Sequence, residues 1–295
     1  MRHTTMRHLI TILAALAALA WLTQPSDAQF VLYDNFEAGG IDPARWQGFI
    51  NEGTFAGPTE EAHRLVENGS LRVHLVSWGD DATNTGSVRS RNGVNVTQLG
   101  TPGGSGFITG LKAKVTVVGA DTQDCPTNPE TAAPSLGRAQ LIGAFFNDGS
   151  SGGAGDRTGD IIAVFELQRR KDGTNRIVAT VNRCPNSGCT PGSNPIAVTG
   201  NPAALTTTWD ANTPLTLKMV WNQAGGKFAF TVTNPVTLAT ETVATTYTPT
   251  ITQGGPPVSD IKSVRLLNDV ENCSGDRKSV SMDALFDNVN FRRVP

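Results

Sequence analysis

Two carboxylates open the search for chemistry. Asp160 and Glu166 stand in the run Gly159-Asp160-Ile161-Ile162-Ala163-Val164-Phe165-Glu166. A pair of carboxylic acids can cleave a glycosidic bond when about 5–5.5 Å separates them in a retaining enzyme, or roughly 6.5–9.5 Å in an inverting one. The run alternates as a strand, which puts both groups on one face. At ~3.3 Å per residue, however, they lie roughly 20 Å apart. Asp160 and Glu166 are weak catalytic candidates and cannot act as one acid–base pair. The same polar face continues through Gln168 and Arg170. It reads as the floor of a ligand groove or as a solvated face with a local Glu166–Arg170 ion pair. Arg89, Arg91 and His74 are the other polar candidates for such a groove.

Other chemistries find little material. There is no Gly-x-Ser-x-Gly elbow for a serine nucleophile, and beyond residue 28 the only histidines are His63 and His74. The cysteines are Cys125, Cys184, Cys189 and Cys273, without CxxC spacing. Even in number, they read as two disulfides in an oxidising compartment, with three connectivities open. Cys184 and Cys189 flank Pro185-Asn186-Ser187-Gly188, so a local loop is the economical pairing and leaves Cys125 for Cys273.

The elements that must hold these groups are strands. Period-two alternation marks 71–76, 111–117, 161–170, 215–221, 227–232, 263–267 and 284–291. Residues 222–226 read as a hairpin loop, and Thr101–Gly106 and Asp121–Gly137 as surface loops. Many short strands with Gly-rich turns and no helical stretch between them imply an all-β antiparallel sandwich in one domain.

The N-terminus carries Arg2 and Arg7, an apolar run from Leu9 to Leu22, then Pro25 and Ser26-Asp27-Ala28. That order predicts a secretory signal over residues 1–28, with the folded domain at 29–295. The apolar run is short of the ~20 residues that span a bilayer. Without Arg2, Arg7 and Asp27, 22 Lys and Arg face 25 Asp and Glu, a balance of −3. So mild a charge excludes a basic field for nucleic acid. A secreted monomer with no membrane span is the expectation.

The order of segments resembles the concanavalin A-like lectin/glucanase domains, a jelly-roll family. The resemblance is carried by Tyr33-Asp34-Asn35-Phe36-Glu37, Ile41-Asp42-Pro43 with Trp46, Asn68 to Val73, Gly86 to Ser90, Leu141 to Phe146 and the closing Ala284 to Phe291. It spans nearly all of 29–295. In the secreted β-glucanases that strand reads Gly-Glu-x-Asp-x-(x)-Glu. Here Asp160 takes the nucleophile position, Ile162 replaces the middle Asp, and Val164 or Phe165 replaces the acid/base Glu. The resemblance therefore implies the fold without the glucanase machinery. Lyases of this fold use Arg, Gln, His and Tyr, but only Tyr33 and Tyr247 are present.

The resemblance further implies a sugar-facing groove, assigned to Arg89, Glu166, Gln168, Arg170 and Trp78. Trp209 and Trp221 are core or platform residues, and Trp46 packs under the first turn. It also implies a structural Ca²⁺ held by Asp287 with Asp34 or Glu37, since hard oxygen ligands suit that ion. Asp269, Glu271 and Asp276, flanking Cys273, read as a solvated loop. The function expected is carbohydrate binding without catalysis. A polysaccharide-degrading enzyme with a non-standard site, or an envelope-associated protein-binding domain, is the alternative.

Overall fold

A computed structural model describes residues 29–50, 60–96, 107–129, 134–145, 161–184, 202–222, 225–247 and 262–294. The leader, Asp160 and Cys189 lie outside them. Each alternating segment is a strand, because one row of its side chains finds an apolar partner across the interior and the other does not. Ser70–Trp78 (β4) alternates half-buried and buried residues from end to end. Ile161–Arg170 (β8) turns Ile161, Ala163, Phe165 and Leu167 into the core.

In chain order the remaining strands are Phe30–Asp34 (β1), Trp46–Ile50 (β2), Glu60–Glu67 (β3), Ser87–Val96 (β5), Phe107–Thr122 (β6), Leu136–Phe145 (β7), Asn175–Arg183 (β9), Ala203–Ala204 (β10), Leu215–Asn222 (β11), Lys227–Thr233 (β12), Thr240–Thr246 (β13), Lys262–Glu271 (β14) and Ser279–Val294 (β15). An eight-stranded sheet runs β13-β12-β11-β6-β15-β4-β3, with β1 also on β15, and a seven-stranded sheet runs β10-β9-β8-β7-β14-β5-β2. All pairings are antiparallel. The expected all-β antiparallel sandwich is what the chain forms. Among the described residues no helix is long and apolar enough to cross a membrane.

The final strand organises the first sheet. On one side it pairs with β6 over most of its length. On the other side β4 takes Ser279 to Phe286 and β1 takes Val289 to Arg292, end to end. Between the sheets, Phe165 meets Phe230 edge-on, and Trp221 stacks over Phe228 and donates its indole N–H to Tyr247 Oη at 2.7 Å. Trp46 is buried against Tyr33 and Phe36 under the first turn, as expected.

Two buried amides tie sheet to sheet. Asn92 on β5 donates from Nδ2 to the carbonyls of His63 and His74, at 3.0 and 2.8 Å. Asn268 on β14 donates to the carbonyls of Val280 and Leu75, at 2.9 and 3.2 Å. Cys125 and Cys273 form a disulfide. Cys184 is also disulfide-bonded. The segment after β6 is not a plain surface loop: Cys125 and Ser135 are buried, and Cys125 N–H donates to Glu271 Oε2 at 2.9 Å.

Candidate functional site

The outer face of the seven-stranded sheet gathers most of the polar candidates. Its register sets three rows across four neighbouring strands, β8-β7-β14-β5. Glu166 lies opposite Gln140, which lies opposite Arg265 and then Gly93. Gln168, Arg138, Leu267 and Arg91 make the second row, and Arg170, Leu136, Asp269 and Arg89 the third. Rows on one face repeat every two residues, or about 6.6 Å. Glu166, Gln168 and Arg170 thus share one face of β8, as the alternation implied, and strand order brings Arg89 to the same surface.

Their bonding differs from expectation. Glu166 is only 7% exposed, and its carboxylate accepts from the side-chain amides of Gln140 and Gln168. Those amides, rather than Arg170, satisfy the carboxylate. Gln140 in turn accepts from Arg265 Nε at 2.8 Å. Gln140 went unnoticed because it and Arg138 are the only polar residues of an otherwise apolar strand. Its only sequence signal is that Arg138, Gln140 and Ile142 occupy alternate positions.

Arg89 is held elsewhere. It and Arg138 both grip the carboxylate of Asp269, which is 1% exposed. Burial pushes the Asp269 carboxyl up, but the charge of Arg138 and the hydrogen bond and charge of Arg89 outweigh it and hold it below the usual carboxylate range. Glu271, also buried, accepts from Lys171 Nζ at 2.9 Å, and Lys171 also reaches Asp124 at 2.9 Å. Asp269 and Glu271 are therefore strand residues with buried ion pairs and not a solvated acidic loop. Only Asp276 of that trio lies exposed in a turn.

Trp78 does not join this face. It ends β4 on the other sheet, opposite Ser279. Trp209 is core, its indole N–H donating to the Gln168 carbonyl at 3.0 Å.

The residues assigned to calcium are engaged with other partners. Asp34 already accepts from Phe36 N–H at 2.8 Å and Trp46 Nε1–H at 2.7 Å, one on each oxygen. Asp287 is paired with Lys114 at 2.7 Å and accepts from Asn288 Nδ2 at 2.8 Å. Glu37 sits beside Gly69. No three His, Cys, Asp or Glu among the described residues are arranged to hold a metal.

A second polar row crosses the outer face of the eight-stranded sheet. His63, His74, Asp283 and Gly119 lie opposite one another on β3, β4, β15 and β6. The two imidazoles stack with centroids 5.9 Å apart. Asp283 Oδ2 is 3.6 Å from His74 Nδ1 and 2.7 Å from Arg72, which also reaches Glu67 at 2.9 Å. A hollow of about 280 Å³ is lined by His63, Leu65, Arg72, His74 and Asp283.

No protein-family model and no curated protein matches the chain. Among solved structures, lectin II from Ulex europaeus is similar at 9% identity and TM-score 0.36, over 89% of this chain and 99% of the lectin. Winged bean acidic lectin, solved with methyl-α-D-galactose, is similar at 9% identity and TM-score 0.33, over 83% of this chain and 98% of the lectin. Scytalido-glutamic peptidase, solved with a transition state analog inhibitor, is similar at 11% identity and TM-score 0.34, over 64% of this chain and 78% of the peptidase. These are distant likenesses of architecture.

Proposed function

We propose that this chain is a secreted, monomeric carbohydrate-binding sandwich that does not cleave its ligand. The observation that carries the reading is the amide-bracketed Glu166 on the outer face of the seven-stranded sheet. Sugar sites work by a few polar groups fixed in advance. Gln168, oriented by Glu166, and Arg170 in the adjoining row supply such groups at the half-buried surface. The disulfide suits an extracellular setting. The spacing of Asp160 and Glu166 in the sequence, and the apolar residues at the other motif positions, support binding over hydrolysis. A structural calcium is not part of the reading, since Asp34 and Asp287 are already engaged.

The test is a polysaccharide and glycan panel with the wild type, Gln168→Ala and Glu166→Gln. Binding by the wild type, weakened about tenfold or more in both variants, is expected. Silence across the panel overturns the reading. Release of reducing ends or unsaturated products, lost in Glu166→Gln, replaces it with the enzymatic alternative.

A further inference from the structure

We propose that His63 and His74 form a binding site for a divalent transition-metal ion, with Zn²⁺ as its probe. The site lies on the sheet opposite the glycan face and is independent of that reading. Residues directly opposite on antiparallel strands have Cα atoms about 4.5–5.5 Å apart, so their side chains leave the sheet side by side. His63 and His74 are such a pair, with ring centroids 5.9 Å apart over an open hollow. Modest ring rotation brings two imidazole nitrogens onto one ion. Imidazole is the natural ligand for Zn²⁺ and its neighbours in the first transition row.

Three further features favour a cation. Asp283 stands behind His74, 3.6 Å from Nδ1. Metal-bound histidines commonly have a carboxylate in that place, which holds the far N–H and directs Nε2 toward the ion. Arg72 keeps Asp283 fixed through contacts of 2.7 and 3.0 Å, and with Glu67 the trio has one positive charge against two negative. The neighbourhood is therefore net negative. Asn92 pins the carbonyls of both histidines from beneath, so the backbone spacing of the pair is set by the core. With two protein ligands, fewer than the three or four of most protein zinc sites, exchangeable water completes the shell.

Calorimetric titration of the full chain with Zn²⁺ at about pH 7.5 tests this, with Ca²⁺ as the control ion. One Zn²⁺ per chain and no Ca²⁺ is expected. His63→Ala and His74→Ala should each weaken binding tenfold or more, and Asp283→Asn by a smaller factor within the 10–100-fold span of outer-shell changes. The double variant His3→Ala/His8→Ala should bind as the wild type, which excludes the leader histidines. Thermal melts without metal show which variants fold, and His63→Gln replaces His63→Ala if the latter does not. Retained Zn²⁺ binding in a folded His63 or His74 variant, or none in the wild type, overturns the proposal.

Discussion

Arg64 donates from Nη1 to Asn92 Oδ1 at 3.2 Å between the two sheets, and the same guanidinium reaches the carbonyls of Phe49 and Gly93. Burial lowers the Arg64 pKa. Gly48 makes the arrangement feasible, because a Cβ there would lie 2.8 Å from the guanidinium carbon. Asn92 is thus acceptor to an interior cation and donor to two strand carbonyls. Asn92→Ala strands the two carbonyls and removes one of three acceptors of Arg64, and a loss of about 2–4 kcal/mol is expected on removing such buried pairing. Denaturant unfolding measures it, and a change under about 0.5 kcal/mol, typical of an indifferent surface site, would contradict the role given to Asn92.

The Asp269 carboxylate predicts acid sensitivity with a definite sign. Its folded pKa is lowered, so its stabilisation is complete above the ordinary carboxylate pKa of about 3.9 and is lost as pH falls toward the folded value. Asp269→Asn should flatten the stability profile below about pH 4. It should also destabilise the fold by about 3–5 kcal/mol at neutral pH, because Arg138 is left with no counter-charge there. An unchanged acid limb in the variant would place the pH dependence elsewhere.

Glu241 makes a second, local prediction. Partial burial works against its ionisation, yet Thr206 and Thr207 donate through both backbone N–H groups and both hydroxyls, and its pKa falls to about 2. Carboxyl NMR should show Glu241 still ionised near pH 3, well below the ordinary glutamate value of about 4.3. In Thr207→Val the midpoint should move up toward that value.

The Cys125–Cys273 bond closes a loop of sequence separation 148. The chain-entropy estimate for such a loop is about 5 kcal/mol. Cys125→Ser/Cys273→Ser should therefore lose several kcal/mol in chemical unfolding, with Cys184 and Cys189 left intact. Loss under about 1 kcal/mol would mean that the ion pairs around Glu271 hold the corner unaided.

Chelation is expected to separate two metals. Calcium, added or withdrawn, should leave the melting temperature unchanged, because both oxygens of Asp34 and Oδ2 of Asp287 already have donors. Asp34→Ala, by contrast, should cost about 2–4 kcal/mol through the unpaired Trp46 N–H and Phe36 N–H. Phe36 depends on that anchor, since it holds φ 56° while fully buried.

The strands were legible because alternation needs only local sequence. Residues 161–170 and 227–232 are read with their inner and outer rows correct. The common face of Glu166, Gln168 and Arg170 follows from the same rule. What was not legible is which strands become neighbours. Gln140 meets Glu166 across a hairpin, but Asp269 meets Arg89 across a sequence separation of 180. No local pattern distinguishes a buried acid with two arginines from an acid in a loop. Trp78 was misplaced for the same reason, as strand order decides the sheet to which a residue belongs. The His63–His74 pair needed only the β3–β4 register. Its signal was the Asn68-Gly69 turn, both of whose residues have positive φ, as a two-residue hairpin loop demands.

The long last strand bears on how the molecule comes into being. A ribosome delivers β1, β4 and β6 early, yet all three hydrogen-bond to β15, which lies far downstream of them in the chain. Phe30 waits for Arg292. Such distant pairing makes folding slow. The eight-stranded sheet stays unfinished until β15 has emerged. A premature stop ahead of Ser279 leaves β6, β4 and β1 without their shared strand.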